Sequence, residues 1–162
     1  MGKVLVAYFS LHGHTETMAQ YIAEGVRMSG HQATVKKISE LKKAEDLKGY
    51  DGYIFGSPTF HLEMAGPMKN FLFLAADAGL EGKLAGAFGS YTHTGNAPQQ
   101  VLDTMEHVFK MKPVSLNSFK LLEHSVAVFG SDSLESTHNI ESSRGMHDCQ
   151  DYGKAFGEEL GD

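Results

Sequence analysis

Near its start the sequence changes from one hydrophobic repeat to another. Residues 4–9 (VLVAYF) form an unbroken apolar run, which is typical of a parallel strand covered on both faces. Over residues 15–29 the apolar side chains Met18, Ile22 and Val26 lie four positions apart, and this spacing predicts an amphipathic helix. A buried strand that leads straight into a helix is the first half of a β-α-β unit.

The same alternation continues along the chain. It predicts further strands and helices, with strands at residues 33–38, 53–55, 85–89 and within 114–129, and helices that open at Pro67, at Pro98 and near Met146. The apolar face of the helix after Pro98 is predicted to include Val108 and Phe109. Two apolar pieces, 114–116 and 126–129, compete for the fifth strand. This order predicts one α/β domain over residues 1–162, with helices on both faces of a parallel sheet.

Composition excludes several classes of protein. The chain has 14 basic and 20 acidic residues, a net charge of −6, and no basic stripe, so nucleic acid is not expected as a partner. No apolar run approaches the roughly 20 residues of a membrane span. The single cysteine, Cys149, excludes an intrachain disulfide. The first residues enter a strand without a signal-peptide pattern, and together these features predict a cytoplasmic protein.

The loop after the first strand, residues 10–15 (SLHGHT), leads into the first helix. Free backbone N–H groups and the positive end of the helix make such a loop suitable for a phosphate. It lacks the second glycine and lysine of a Walker A loop and the three glycines of a dinucleotide fingerprint. The alternative is a turn that only caps the helix. The candidate phosphate-binding residues are Ser10, Leu11, His12, Gly13, His14 and Thr15.

Two more loops follow the strands at residues 53–55 and 85–89, and in a parallel sheet they end at the same edge as the first loop. Phe60 and Tyr91 can enclose a planar ring between them; alternatively, both aromatic side chains cover the top of the core. Because three loops offer a phosphate site and two walls for a ring, the sequence favours bound flavin mononucleotide (FMN).

The chain resembles the flavodoxin-like superfamily over nearly its whole length, as a short-chain flavodoxin. The Ser10-x-x-Gly13-x-Thr15 spacing matches the flavodoxin phosphate loop. Other segments resemble the WrbA-type NAD(P)H:quinone oxidoreductases, namely 13–19 (GHTETMA), 56–59 (GSPT), 66–72 (GPMKNFL) and 82–85 (GKLA). Residues 87–91 (AFGSY) are similar to the flavodoxin domains of flavodiiron proteins. The resemblance implies a flavodoxin-like three-layer fold, a five-stranded parallel sheet of order 2-1-3-4-5, and FMN.

The resemblance also implies how FMN is held. Residues 10–15 would bind the phosphate, and two sets of residues would line the isoalloxazine ring. One set is Pro58, Thr59, Phe60 and His61; the other is Ser90, Tyr91, Thr92, Thr94, Gly95 and Asn96. The sequence departs from the family in having no tryptophan, and from the WrbA type in lacking its insertion and its glycine-rich third loop. A homo-oligomer of the WrbA kind is therefore an open expectation.

Three functions remain open from the sequence. The first is an electron carrier that passes electrons through noncovalent FMN to a protein partner. The second is an NAD(P)H-dependent quinone reductase, in which His61 and His93 are the candidates for proton transfer. The third is a noncatalytic module that binds a ligand or a metal, suggested by His12, His14, His61 and His93; no metal ion is expected in the leading interpretation.

The loops proposed to surround FMN contain few carboxylates. Glu63 is the one acid near residues 57–62, and residues 89–100 have none. An acid-poor rim repels reduced, anionic flavin less than an acidic rim does. The sequence therefore predicts a second reduction potential that is less negative than in low-potential flavodoxins.

Overall fold

The structure, a computed structural model, describes residues 1–123 and 139–161, and in the second range the side chains from Arg144 onward. Its strands and helices follow one another in chain order: β1 (Lys3–Tyr8), α1 (His14–Met28), β2 (Gln32–Lys37), β3 (Gly52–Gly56), β4 (Thr59–Phe60), β5 (Glu63–Met64), α2 (Gly66–Ala75), β6 (Leu84–Tyr91), α3 (Ala97–His107), β7 (Lys112–Leu122) and α4 (Asn139–Leu160). Two short 3-10 turns, Ile38–Glu40 and Ala44–Leu47, connect β2 to β3.

Five strands form a parallel sheet in the order β2-β1-β3-β6-β7. This is the predicted 2-1-3-4-5 order, since β4 and β5 form a separate antiparallel hairpin. The central strands β1 and β3 are buried along nearly their whole length. The polar strand β2 lies at one edge, as its sequence predicts. The predicted three-layer fold is therefore confirmed.

The helices lie on both faces of the sheet and enclose two apolar clusters. On one face α1 and α4 pack over the sheet, with Met18, Ile22 and Phe156 fully buried. On the other face α2 and α3 bury Met68 and Leu102 against the sheet. Because each face of the sheet is covered, its strands carry apolar side chains on both sides.

The third helix ends earlier than its apolar pattern predicts. Helix α3 stops at His107, and Val108 caps it with 64% of its surface exposed, whereas Phe109 returns to the core. The expectation that Val108 belongs to the buried face is therefore wrong. Beyond the end of a helix the backbone changes direction, so the helical spacing no longer decides which side chains are buried.

The fifth strand, β7, contains the first of the two competing apolar pieces; the second piece, 126–129, lies outside the described residues. Pairing with β6 is interrupted, because Pro113 faces Ala85 and Ser118 faces Ala87. At this irregularity the Tyr152 hydroxyl of α4 donates to the Asn117 carbonyl (2.6 Å) and accepts from the Ala87 N–H (3.2 Å). The buried Tyr152 hydroxyl thus provides a hydrogen-bond partner to a backbone group of each strand where the hydrogen bonds between the strands are interrupted.

Helix α4 begins at Asn139, seven residues before the predicted start at Met146. The predicted start rests on the apolar spacing of Tyr152, Phe156 and Leu160. This spacing marks only the part of the helix that packs against the rest of the fold, so it does not reveal the first turns. In the described part of the chain, no helix combines the length and the apolar character that a membrane crossing requires. Cys149 is fully buried, and burial raises the pKa of its thiol.

Candidate functional site

The loops after β1, β3 and β6 meet at one edge of the sheet. Thr15, in the first turn of α1, and Ser90, near the end of β6, bring their hydroxyl oxygens within 3.1 Å of each other. Both side chains are about 1% exposed. The sequence predicted Thr15 at the phosphate and Ser90 beside the ring. The structure joins them in one hydrogen bond at the base of the site.

The first loop is shaped by Gly13, whose φ of +91° is a left-handed conformation that favours glycine. Its N–H donates to Ser10 Oγ (3.1 Å), and its carbonyl accepts from both the N–H and the hydroxyl of Thr17. The bond from the Thr17 N–H to Gly13 begins the helical ladder, so the N–H groups of residues 14–16 precede it. They are therefore the free donors of a helix N-terminus, available to an anion.

The second loop continues into the β4–β5 hairpin, which the sequence did not predict. The Ser57 N–H donates to the Phe88 carbonyl of β6 (3.0 Å), and Ser57 Oγ accepts from the Ala65 N–H (3.0 Å). Thr59 Oγ1 accepts from the Ala97 N–H at the start of α3 (3.1 Å). The hairpin is thus attached both to β6 and to α3, and it presents Phe60 to the site.

Two adjoining cavities lie among these loops and share His14 and Glu123. The first is narrow, about 10 Å³, and its lining residues are Ser10, Leu11, His12, His14, Thr15, Pro58, Phe60, Ser90 and Glu123. The second is an open depression of about 430 Å³, lined by His14, Tyr91, Thr92, Leu122 and Glu123. The larger one is within the usual size range of cofactor sites.

The charges at the site are balanced. Burial lowers the pKa of His14, opposed by the nearby Glu123 carboxylate and reinforced by His12, which favours a neutral imidazole. The Lys120 ammonium lies 5.6 Å from the centre of the Tyr91 ring, close enough for a cation–π contact. Glu63, the acid noted in the sequence, is paired with Lys69 at 2.6 Å. The carboxylate that actually lines the cavities is Glu123.

Ten of the predicted site residues line one of the two cavities: Ser10, Leu11, His12, His14, Thr15, Pro58, Phe60, Ser90, Tyr91 and Thr92. Phe60 lines the narrow cavity and Tyr91 the depression, so the two aromatic side chains do not face each other across one slot. Gly13 acts through its backbone. Thr59 and Asn96 bond neighbouring segments instead. The remaining predicted residues, His61, His93, Thr94 and Gly95, line neither cavity.

Sequence reasoning missed Lys120, Leu122 and Glu123. All three lie at the carboxyl end of β7 or just beyond it, at the edge where the other loops meet. The rule that ligands bind beyond the carboxyl ends of parallel strands would have pointed to them. It could not be applied because the sequence left the end of the fifth strand unplaced.

The four loop histidines do not form a metal cluster among the described residues. Within that part of the chain, ligand atoms that could share one ion are found together on Asp103, Glu106 and His107, at the end of α3. None of these residues lines the two cavities. The geometry therefore gives the metal-binding interpretation of the histidines no support.

The family model for flavodoxin matches residues 6–116 of the chain. The chain belongs to the flavodoxin family. The resemblance noted in the sequence is thereby confirmed, and FMN is the cofactor that this family and its solved structures imply.

Individual relatives agree with this membership. A curated "NAD(P)H dehydrogenase (quinone)" of Acidithiobacillus ferrooxidans is 38% identical over 132 residues, which are 67% of this chain and 66% of that protein. A solved flavodoxin from the domain Archaea has a TM-score of 0.79, 23% identity and 99% of both chains covered. The WrbA-like flavodoxin of Agrobacterium tumefaciens has a TM-score of 0.72, 20% identity, and 99% of this chain and 98% of that one covered. At these identities the two structures support the fold alone.

The side chains and backbone present fit FMN. The free N–H groups of residues 14–16 and the Ser10 hydroxyl suit a phosphate, and Phe60, Tyr91 and Pro58 offer apolar surface to a flat ring. The larger depression, of about 430 Å³, has the volume for such a ring. No lysine or arginine lies in the phosphate loop, so backbone donors and hydroxyl groups would hold the phosphate.

Proposed function

We propose that this flavodoxin-family protein carries electrons through noncovalently bound FMN to a protein partner. The observation that carries the proposal is the convergence of the loops after β1, β3 and β6, joined by the Thr15–Ser90 bond, on cavities that begin at a helix N-terminus. The chain forms one domain in this proposal, because both apolar clusters share the same five-stranded sheet.

When bound, FMN supplies the acceptance and release of electrons, and the protein supplies its binding and surroundings. The free N–H groups of residues 14–16 and the Ser10 hydroxyl bind the phosphate. Phe60 in the narrow cavity and Tyr91 in the depression offer apolar surface to the ring. Neutral His14 donates or accepts a hydrogen bond without adding charge, while Glu123 and Lys120 set the local potential in opposite directions.

Quinone reduction with NAD(P)H is the second candidate. It is supported by the 38% identical relative, of which the matched region covers 66%, and by the exposed, uncharged side chains Leu11 and Leu62 at the site edge. In this candidate His61 and His93, both exposed at the loop tips, supply protons to the quinone. A quinone is apolar and uncharged, so it suits an edge of this composition better than an acidic one.

Anaerobic reduction of the FMN-loaded protein distinguishes the two candidates. The flavin absorbance is followed after addition of NADH or NADPH, with dithionite as a positive control. If the protein is a carrier, nicotinamides leave the flavin oxidised, whereas dithionite bleaches it. Rapid bleaching by either nicotinamide would favour the reductase, and a protein that binds no FMN would exclude both functions.

We also propose that the protein self-associates through an apolar groove between α2 and α3. This α2–α3 groove, about 250 Å³, is lined by Met64, Lys69, Leu72, Phe73, Ala76, Thr104, Val108 and Phe109. Its proposed occupant is Phe73 of a second copy. A cytoplasmic location is proposed as well, because the single cysteine is buried and unpaired, as expected in a reducing compartment.

A further inference from the structure

The turn of the β4–β5 hairpin has an unusual sequence for its conformation. Thr59 pairs with Met64 and Phe60 with Glu63, so His61 and Leu62 form a two-residue turn. Both have positive φ angles, 49° and 70°, as in a type I′ turn. Such turns strongly favour Asn-Gly, because a β-carbon is strained in this region. Leucine in particular needs support from its surroundings to remain there.

That support comes from helix α3. The Leu62 carbonyl accepts two side-chain hydrogen bonds, from Asn96 Nδ2 (3.0 Å) and from Gln100 Nε2 (3.3 Å). The other atom of the same amide, Gln100 Oε1, accepts from the Met64 N–H (2.9 Å). Gln100 therefore holds the turn and the returning strand together, and each end of its amide has the partner it requires.

We propose that Gln100 is a positioning residue for FMN. By bonding to Leu62 and Met64, Gln100 keeps the two turn residues in their left-handed conformation. The hairpin held in this way places Phe60 in the narrow cavity with Ser10 and Thr15. Gln100 lines neither cavity, so it acts through the hairpin. This inference rests on the proposed function, since it assumes that FMN occupies these cavities.

The role is separable from general stability. The hairpin pairs only two residues on each strand, and Leu62 is 62% exposed, so releasing the turn removes little of the apolar core. What changes is the freedom of Phe60. A hairpin that samples several conformations binds FMN more weakly, because binding must then select one of them.

The test compares two neighbouring glutamines of α3. Gln100→Leu removes both bonds to the hairpin at nearly constant size. Gln99→Leu is the matched control, because the Gln99 amide bonds Asp103 and Ser118 and does not touch the hairpin. FMN affinity is measured by quenching of flavin fluorescence on binding. We expect Gln100→Leu to weaken binding by about tenfold, with Gln99→Leu within about twofold of wild type and equal melting temperatures for the apoproteins.

A second variant tests the mechanism directly. His61→Asn with Leu62→Gly creates a turn that favours the type I′ conformation by itself. Added to Gln100→Leu, it should restore most of the lost FMN affinity. Hydrogen exchange of the Met64 N–H in the apoprotein should be faster in Gln100→Leu than in Gln99→Leu, and this readout does not require FMN.

The outcomes are distinct. Wild-type affinity in Gln100→Leu, unchanged Met64 exchange, or no rescue by the Asn-Gly turn would each overturn the role of Gln100 while leaving FMN binding intact. Failure of the wild-type protein to bind FMN would overturn the proposed function itself, and the positioning role with it.

Discussion

Two charged side chains at the mouth of the candidate site would act on a reduced flavin in opposite directions. Glu123 lines both cavities, and Lys120 lies against Tyr91. A carboxylate repels the negative charge that the flavin gains. We therefore expect Glu123→Gln to make the second one-electron potential of the FMN-loaded protein less negative by about 20–60 mV, the effect of one unit charge acting through a partly solvated site. Lys120→Met should shift it in the opposite direction.

A redox titration of FMN-loaded protein under anaerobic conditions measures both shifts. Shifts of the same sign in Glu123→Gln and Lys120→Met would contradict the electrostatic explanation. The wild-type curve also tests the acid-poor rim predicted from the sequence. A second potential that is very low and widely separated from the first would show that Glu123 outweighs the uncharged loops.

The half-buried His14 couples stability to pH. Burial lowers its pKa below the usual 6.5, with Glu123 opposing the shift and His12 adding to it. The unfolded chain therefore binds a proton at His14 more readily than the folded chain. Stability from this group is present at higher pH and is lost as the pH falls through the ordinary histidine range.

Replacing His14 should remove this dependence. We expect His14→Gln to lose less free energy of unfolding than wild type when urea denaturation of the apoprotein is repeated at about pH 7.5 and about pH 5.5. His93→Gln, at an exposed position outside both cavities, is the control and should follow wild type. An equal loss in His14→Gln and wild type would mean that His14 is as easily protonated in the folded chain as in the unfolded one.

At the residue level, the sequence places candidate site residues at one edge of the sheet wherever a loop lies directly after a strand with an unambiguous end. Ser10 and Thr15 come after β1, Phe60 comes after β3, and Ser90 is near the end of β6. Topology alone therefore places them at one edge of the sheet. The sequence does not determine the direction in which the side chains of these loops point. Thr59 is near the predicted position, but its hydroxyl faces the start of α3, and no local pattern encodes that choice.

At the scale of elements, α1 and α4 approach closely enough to require a glycine. A β-carbon on Gly153 of α4 would overlap the carbonyl oxygen of Ile22 in α1, whereas one on Gly66 at the start of α2 would meet nothing within 4 Å. Alanine improves helix propensity by about 1 kcal/mol. Forcing packed backbones apart costs more, so we expect Gly153→Ala to lower the free energy of unfolding by about 2–3 kcal/mol.

Denaturant unfolding of Gly153→Ala and Gly66→Ala checks this expectation. Gly66→Ala should change the free energy of unfolding by less than about 1 kcal/mol, because its β-carbon meets no atom beyond its chain neighbours, while Pro67 offsets the gain in helix propensity. If both variants gain stability, α1 and α4 can move apart at little cost, and their close packing contributes little to the free energy of unfolding.

The elements that the sequence predicted well are those whose burial follows a simple period. Strands β1 and β3 and helix α1 were placed within one or two residues, because the core alone decides which of their side chains are apolar. The β4–β5 hairpin and the irregularity in β7 were missed. Both depend on side chains distant in sequence, Gln100 for the hairpin and Tyr152 for β7, which a local pattern cannot contain.

For the molecule as a whole, exposed apolar side chains mark two different surfaces. Leu11 lines the narrow cavity and Leu62 lies in the turn of the β4–β5 hairpin, with 60% and 62% of their surfaces exposed. Phe73 and Val108, 78% and 64% exposed, flank the α2–α3 groove. The residues that line the groove are different from those that line the two candidate cavities.

Self-association through the α2–α3 groove is proposed because the exposed Phe73 lines an apolar groove on the same face. Phe73 projects beside the groove, so a two-fold axis would seat each Phe73 in the groove of the other copy. We expect wild-type protein to form a dimer in sedimentation velocity experiments and Phe73→Asp to be monomeric at equal concentration.

Leu116→Asp, which places the same charge at an exposed leucine of β7 (56% exposed), should remain dimeric. A wild-type monomer, or a Phe73→Asp dimer, would show that a second copy does not occupy the groove. Equal dissociation of both variants would assign the effect to added charge alone.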